Sequence, residues 1–212
     1  MIIQINLQKI QKNLRNKFIE RGVKMVGPET IFFSEDTKIG KNVIINPYVV
    51  IGKKVRIGDN VTINSFSHLV NCKIENKVDV GPYARIRPGT ILKEGSRIGN
   101  FVEVKKSKLD KNVSVSHLSY VGDAEIGANV NIGCGFITCN YDGANKHKTI
   151  IGEGSFIGSD CQMIAPINIG KEAYIGSGST VNKDVPDGAF AIARERQTNK
   201  EGMAKKFIKK KK

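Results

Sequence analysis

Two spacings of hydrophobic residues divide this chain. Near the start, Leu7, Ile10, Leu14 and Phe18 fall at i, i+3, i+7 and i+11, with Lys9, Lys12, Arg15 and Glu20 left to the other face. That spacing predicts one amphipathic helix, with Gly22 placed to end it. From Thr37 the period becomes six. Ile39, Ile45, Ile51, Ile57 and Ile63 form one series and Val43, Val49, Val55 and Val61 a second, with glycine after the isoleucine at Gly40, Gly52 and Gly58. The series returns as Val80, Ile86, Leu92, Ile98 and Val104, then Val121, and slips by one before Ile126 and Ile132. It resumes as Ile151, Ile157, Met163, Ile169, Ile175 and Val181. A period of six fits neither a helix nor an alternating strand. It fits short strands joined by tight turns, each hexapeptide sending one large aliphatic inward so that like residues stack from coil to coil. Glycine or Asn after the inward residue is expected to relieve the turn. The fold expected is an all-β parallel β-helix over 25–188, with an N-terminal helix over 1–24 and a basic tail over 189–212. From Pro186 the repeat is expected to be finished, and the shift between Val104 and Val121 marks an irregular coil near His117.

The repeat breaks once. From Cys139 to Thr149 eleven residues run through Asn, Tyr, Asp, Gly and Lys before the period resumes. Polar and basic residues at the one interruption of a regular scaffold point to a catalytic loop. Composition adds an anionic partner. The net charge is +14, and Lys205, Lys206 and Lys209 to Lys212 supply six of those charges, leaving a body of +8. Phosphate esters and nucleotides such as coenzyme A suit that balance, and the lysine tail is read as a solvated one without nucleic-acid binding. The four cysteines, Cys72, Cys134, Cys139 and Cys161, make no CxxC pair or zinc spacing. With no secretory signal and no apolar run of spanning length, reduced thiols, a cytoplasmic location and no membrane insertion are expected.

Five stretches carry a resemblance: GPYARIRPGT (from Gly81), GNFVEVKKSKL (from Gly99), HLSYVGDAEIGANVNIGCGFITCNYDGANKHKTIIG (from His117), GSDCQMIAP (from Gly158) and ARERQTNKEG (from Ala193). The chain resembles glucosamine-1-phosphate N-acetyltransferase, in most bacteria the C-terminal domain of the bifunctional N-acetylglucosamine-1-phosphate uridyltransferase. The resemblance is close from Gly81 to Gly202 and weak before it. It implies a left-handed prism, assembly as a homotrimer with sites between subunits, and acetyl-CoA as co-substrate without a metal. The implied reaction moves the acetyl group to the amine of glucosamine 1-phosphate, giving N-acetylglucosamine 1-phosphate for UDP-N-acetylglucosamine, peptidoglycan and lipid A. No nucleotidyltransferase domain of the bifunctional members precedes the prism in this sequence. Uridyl transfer is therefore not expected from this chain alone, and either another protein supplies it or the sequence is part of a longer one.

The family's positions fall on particular residues here. His117 is the implied base, since an imidazole titrating near neutrality can take the amine's proton, and Glu103 is placed to orient or polarise it. Arg87, Lys105 and Lys146 are implied for the substrate phosphate, a guanidinium fork and two point charges. Tyr120, Asn131 and Asn140 are implied at the sugar and the reacting amine, Asn140 as a catalytic residue. Cys134 through its backbone N–H, together with Tyr141, Ser159, Ser177, Arg194 and Lys200, is implied for coenzyme A. The amides of Gly133 to Gly135 are the expected oxyanion donors. Arg196 stands where relatives commonly have proline, a departure that bears on the tail. Two alternatives stay open: another hexapeptide-repeat acyltransferase, and a non-catalytic scaffold or polyanion binder. A zinc-dependent prism enzyme would need three converging imidazoles, and the chain has only His68, His117 and His147, without a close pair.

Overall fold

The computed structural model describes residues 2–206. After the helix (Ile2–Glu20), strands of two to four residues pair in parallel with the strand one coil further on. They form three sheets of ten, nine and eight strands, visited in turn, so the chain winds a three-sided, left-handed prism. On the ten-stranded face the inward column runs in register through Ile45, Ile63, Val80, Ile98, Val115, Ile132, Ile157 and Ile175. Every aliphatic of the expected period-six series is buried. Each hexapeptide, however, sends two residues inward where one was expected: Val43, Val49, Val55 and Val61 are buried as fully as the isoleucines two positions later. Alternation along each short strand puts both on the core side.

The turn chemistry also differs from expectation. Left-handed backbone falls on the residue before the valine, at Asn42, Lys54 and Asn60, whereas Gly40 and Gly58 have no positive φ. Those glycines answer to the next coil: a Cβ on Gly40 would stand 2.7 Å from the Gly58 carbonyl carbon. The register slips have one location. The five-residue steps from Leu69 to Ile74, Val104 to Leu109 and Val121 to Ile126 all pass from the nine-stranded to the eight-stranded face. Each such corner turns on one left-handed residue, Asn71, Lys106 and Asp123 in that order. The loop lies at this corner too, between the strands Ile137–Cys139 and Thr149–Ile151. Cys139 and Thr149 thus belong to strands, and the insertion is 140–148. Thr138 takes the inward place of an aliphatic there, its hydroxyl oxygen accepting from the Gly122 N–H at 2.8 Å.

The helix closes the open end of the prism. Gly22, at φ 86, ends it with Gly22 N–H donating to the Ile19 carbonyl and Val23 N–H to that of Phe18, the paired bonds of a Schellman motif. Gln11 both accepts from the Phe33 N–H and donates to the Phe33 carbonyl, and Arg15 donates to the Ile31 carbonyl. These occupy backbone groups that no preceding coil can satisfy. Only half of the expected apolar face is used: Leu14 and Phe18 are buried, while Leu7 and Ile10 are exposed. At the other end the repeat runs past Pro186, since Phe190–Ala191 pairs with Tyr174–Ile175. A short 3-10 turn follows at Met203–Lys206, and Lys209 to Lys212 lie outside the described residues. All four cysteines are free, and burial pushes the Cys72 thiol up to about 12.

Truncating the core column should matter far more than truncating the helix. Leu92→Ala is expected to lower the unfolding free energy by about 2–5 kcal/mol and Leu7→Ala by less than about 0.5 kcal/mol, both read from urea titrations.

Candidate active site

The implied site residues gather around the nine-stranded face and its two bounding corners. Arg85 with Arg87 just past its strand, Glu103 and Lys105, and Tyr120 follow one another on three successive coils of that face, with Arg85, Glu103 and Tyr120 in register. Successive coils lie about 4.8 Å apart, so side chains one coil apart touch. Arg87 donates to Glu103 at 2.6 Å, and Arg85 stands 3.7 Å from the other carboxylate oxygen. The Tyr120 ring lies across Gly122, where a Cβ would come within 2.7 Å of it. Glycine at 122 leaves the room the ring needs.

One corner, where the ten-stranded face turns into this one, carries His117. Its Nδ1 is 2.7 Å from Asn100 Oδ1, and the two residues are paired one coil apart. With a carboxamide oxygen as its partner, Nδ1 is the donor, which leaves Nε2 as the acceptor nitrogen in the neutral form of the ring. Glu103, expected to orient His117, is committed to the two arginines instead. Asn100 does the orienting, and the sequence reasoning passed over it. The register of Val115 with Ile132, Ile157 and Ile175 places His117, Cys134, Ser159 and Ser177 in one line down this corner. Ser159 N–H donates to Ser177 Oγ at 3.1 Å, and Arg194 reaches the foot of the line beside Gly178. Of the amides expected as oxyanion donors, Gly133 N–H goes to the Ile157 carbonyl and Gly135 N–H to that of Leu118. The Cys134 N–H makes no backbone hydrogen bond among the described residues.

The opposite corner carries the charge. The Asp123 side chain, only 9% exposed, accepts from Asn140 Nδ2 at 2.6 Å and faces Lys105 Nζ at 3.5 Å and Lys106 Nζ at 3.6 Å. Lys105 and Lys146 stand together. Lys105 is held above the ordinary lysine value, first by its contact with Lys146, with Asp123 adding to it. Lys146 is pushed below that value, first by Lys105, with Arg87 adding to it. An arriving dianion would relieve the crowding of like charges. A cavity of about 300 Å³ opens here, lined by Lys106, Lys108, Asp123, Lys146, His147 and Lys148.

The loop is a compact turn. The Asp142 carboxylate accepts from the Ala144 and Asn145 N–H groups and meets His147 Nε2 at 2.6 Å. Tyr141 and Lys146 form an antiparallel bridge, and His147 N–H donates to the Asn140 carbonyl. These contacts leave Asn140 buried at the root of the loop and Tyr141 exposed. Two implied residues stand apart from the rest. Asn131 points outward on the ten-stranded face, and Lys200 lies beyond the prism, its carbonyl accepting from Met203 N–H. Sequence reasoning also missed Asp123; the signal available was its place inside the GDAEIG string.

The Asn145 N–H, then His147 and the Ala144 N–H, hold the Asp142 carboxyl far below the usual carboxylate range. A depressed folded value means that this contribution is present above the unfolded carboxylate range, near 3.9, and fades as pH falls below it. Asp142→Ala should therefore speed amide hydrogen exchange at Ala144 and Asn145 at neutral pH, while the wild type stays protected until well below pH 4.

Known proteins place this geometry. The bacterial transferase hexapeptide (six repeats) model matches residues 36–70 and 148–183. The bifunctional protein GlmU of Zymomonas mobilis is 51% identical over 202 residues, 95% of this chain and 45% of that protein. That of a Bradyrhizobium species is 54% identical over 198 residues, 93% of this chain and 44% of the relative. The chain thus spans a little under half the length of the curated relatives it matches. Among solved structures, LpxA from Acinetobacter baumannii superposes with a TM-score of 0.69 at 17% identity, over 88% of this chain and 78% of that one, which establishes the shared fold alone. By its repeat, its prism and this identity over nine-tenths of its length, the chain carries the bacterial transferase hexapeptide repeat and corresponds to the C-terminal part of the bifunctional GlmU proteins.

Proposed function

We propose that this chain transfers the acetyl group of acetyl-CoA to the amine of glucosamine 1-phosphate. The product, N-acetylglucosamine 1-phosphate, would serve UDP-N-acetylglucosamine formation and, beyond it, peptidoglycan and lipid A. The observation that carries this reading is His117, its Nδ1 held by Asn100, heading the line of Cys134, Ser159 and Ser177. That line runs beside a face furnished with Arg87, Lys105 and Lys146.

The amine nitrogen attacks the thioester carbonyl carbon while His117 Nε2 takes its proton. The Cys134 N–H is the donor for the oxygen that gains charge. The C–S bond then breaks, and the sulfur leaves as coenzyme A with the proton returned from His117. Arg87, set by Glu103, acts with Lys105 and Lys146 on the sugar phosphate. Tyr120 and Asn131 serve the sugar, and Asn140 receives the amine with its carboxamide oxygen. Ser159, Ser177 and Arg194 lie along the coenzyme's path, with Tyr141 and Lys200 reaching it from loop and tail. This route calls on no metal. Residues 1–24 act as a linker-like helix, 25–188 as the catalytic prism and 189–212 as the tail, in a cytoplasmic enzyme.

The working unit in this reading is a homotrimer. Two features support it: Asn131 stands on a different face from Arg87, Lys105 and Tyr120, and an uncovered row of rings leads to His117. Tyr48, Phe66, Tyr83 and Phe101 stack at centroid distances of 4.7 to 5.0 Å, all exposed. An apolar row of that length is a surface for another chain.

Release of free thiol from acetyl-CoA should require glucosamine 1-phosphate, with neither glucosamine nor serine replacing it. His117→Ala should lower kcat by roughly 10²–10⁴ with the fold retained. Sedimentation should give three times the chain mass, and Phe66→Asp should reduce both mass and turnover. A folded wild type that releases no thiol would defeat the proposal.

A further inference from the structure

Of the side chains around the site, Asp123 is the one whose burial the fold itself does not explain. Its backbone is left-handed, at φ 50, and makes a five-residue corner. Asn71 and Lys106 make the same corner in other coils with left-handed backbone and their side chains in solvent. The turn therefore needs neither a carboxylate nor a buried one. Burying an ionised group is unfavourable unless it is paired and hydrogen-bonded, and every contact of this one is a residue of the candidate site or its neighbour. Asn140 donates to Oδ2 at 2.6 Å, Lys105 stands 3.5 Å from the same oxygen and Lys106 3.6 Å from Oδ1. Asn140 comes from the next coil and roots the loop, so one carboxylate joins the loop to the nine-stranded face.

We propose that Asp123 is a positioning residue: by engaging the Asn140 amide nitrogen and the Lys105 ammonium, it presents the Asn140 carboxamide oxygen and the Lys105 charge to the acceptor sugar phosphate. This rests on the acetyl-transfer reading above. A carboxylate bound to Nδ2 fixes which end of the Asn140 amide faces outward. The outward oxygen can accept from the incoming amine and turn its lone pair toward the thioester. The charge has a separate task. Lys105 and Lys106 on one strand and corner, Lys146 on the loop and Arg87 one coil away bring positive charge to this point; the other titratable neighbours are the Tyr120 hydroxyl, Glu103 on Arg87, and Lys108, Glu125, His147 and Lys148 around the same cavity. Asp123 is the carboxylate that meets Lys105 and Lys106, and it lets Lys105 and Lys146 stand together before substrate arrives.

The test compares Asp123→Ala, Asp123→Asn, Asn140→Ala and the double alanine variant in the full chain, by steady-state kinetics over a pH series. Melting and sedimentation run alongside. Asp123→Ala should lower kcat by about tenfold or more with little change in the KM for acetyl-CoA. The Asp123→Asn oxygen can still accept from Asn140, so kcat should recover to within about threefold of wild type. The KM for glucosamine 1-phosphate should rise, and the alkaline limb of kcat/KM should move to lower pH, because Lys146 loses a carboxylate that favours its charged form. The double variant should be no worse than the worse single one. If Asp123→Ala does not fold, the Asp123→Asn profile alone decides. Wild-type kinetics and an unmoved limb in a folded Asp123→Asn variant would overturn the assignment, as would losses that add in the double variant. An active wild type with unaffected variants removes this proposal alone, whereas an inactive wild type removes the acetyl-transfer reading and this one with it.

Discussion

Coil-to-coil registry is the constraint on which the whole molecule depends. Each strand is only two to four residues long, far too short to be stable by itself. It exists because its neighbours lie about 4.8 Å above and below and present the same aliphatic at the same place. That requirement fixes every sixth residue, and it forbids a Cβ where the next coil comes closest, as at Gly40 and Gly58. It also confines variation. A residue gained or lost within a strand would turn the inward column outward, so length changes are admitted only at a corner. All three five-residue steps and the 140–148 insertion fall at the same one.

The same registry explains how a rigid scaffold builds a site. A residue at a given corner position meets its counterparts in the coils above and below whether or not the sequence separation suggests it. Asn100 reaches His117 across 17 positions, and Asp123 reaches Asn140 across the same interval. Two lines of chemistry result, on either side of one narrow face: imidazole, thiol and hydroxyl groups along one corner, and carboxylate, amide and ammonium groups along the other. The arginines, Glu103 and Tyr120 fill the face between them. The loop adds what registry cannot, an extension away from the prism wall, with Asp142 holding its turn closed.

Most of the fold was legible in the sequence because one energetic term, burial of an aliphatic column, dominates it. The period therefore predicted most of the buried isoleucines, including those beyond the register slips, though Ile31, Ile74 and Ile167 lay outside its series. What the period could not reveal was the second inward column's equal depth. Nor could it place the left-handed residues, since Lys54 and Asn60 carry no common side-chain signature. The helix was legible as a helix, but periodicity alone could not show that its first half faces solvent. Phe190–Ala191 escaped notice because Ala191 is too small to continue an aliphatic series. At the site, the motif strings located the groups but not their pairings. Glu103 and His117 are both polar residues in matched strings. Only the register shows that one serves Arg87 and the other leans on Asn100.

The pairings matter because charge in this prism has few places to go. Its interior is mostly aliphatic and holds no ionised group beyond the Asp123 corner among the described residues, so a charged side chain must find partners at a corner or stay in water. Lys148 does so with Glu125 at 2.7 Å and Lys77 with Glu94 at 2.8 Å, pairs at the surface whose separate contributions are small. The Asp123 corner differs in being enclosed, with the carboxylate 9% and the Lys105 side chain 17% exposed. There the dielectric screening that weakens the surface pairs is reduced, and an excess of ammonium groups over carboxylates remains. A doubly charged phosphate is the ligand that would complete such a balance. The imidazole line one face away would complete its chemistry. The prism keeps the two on opposite edges of the nine-stranded face, His117 before and Asp123 after the strand that carries Tyr120.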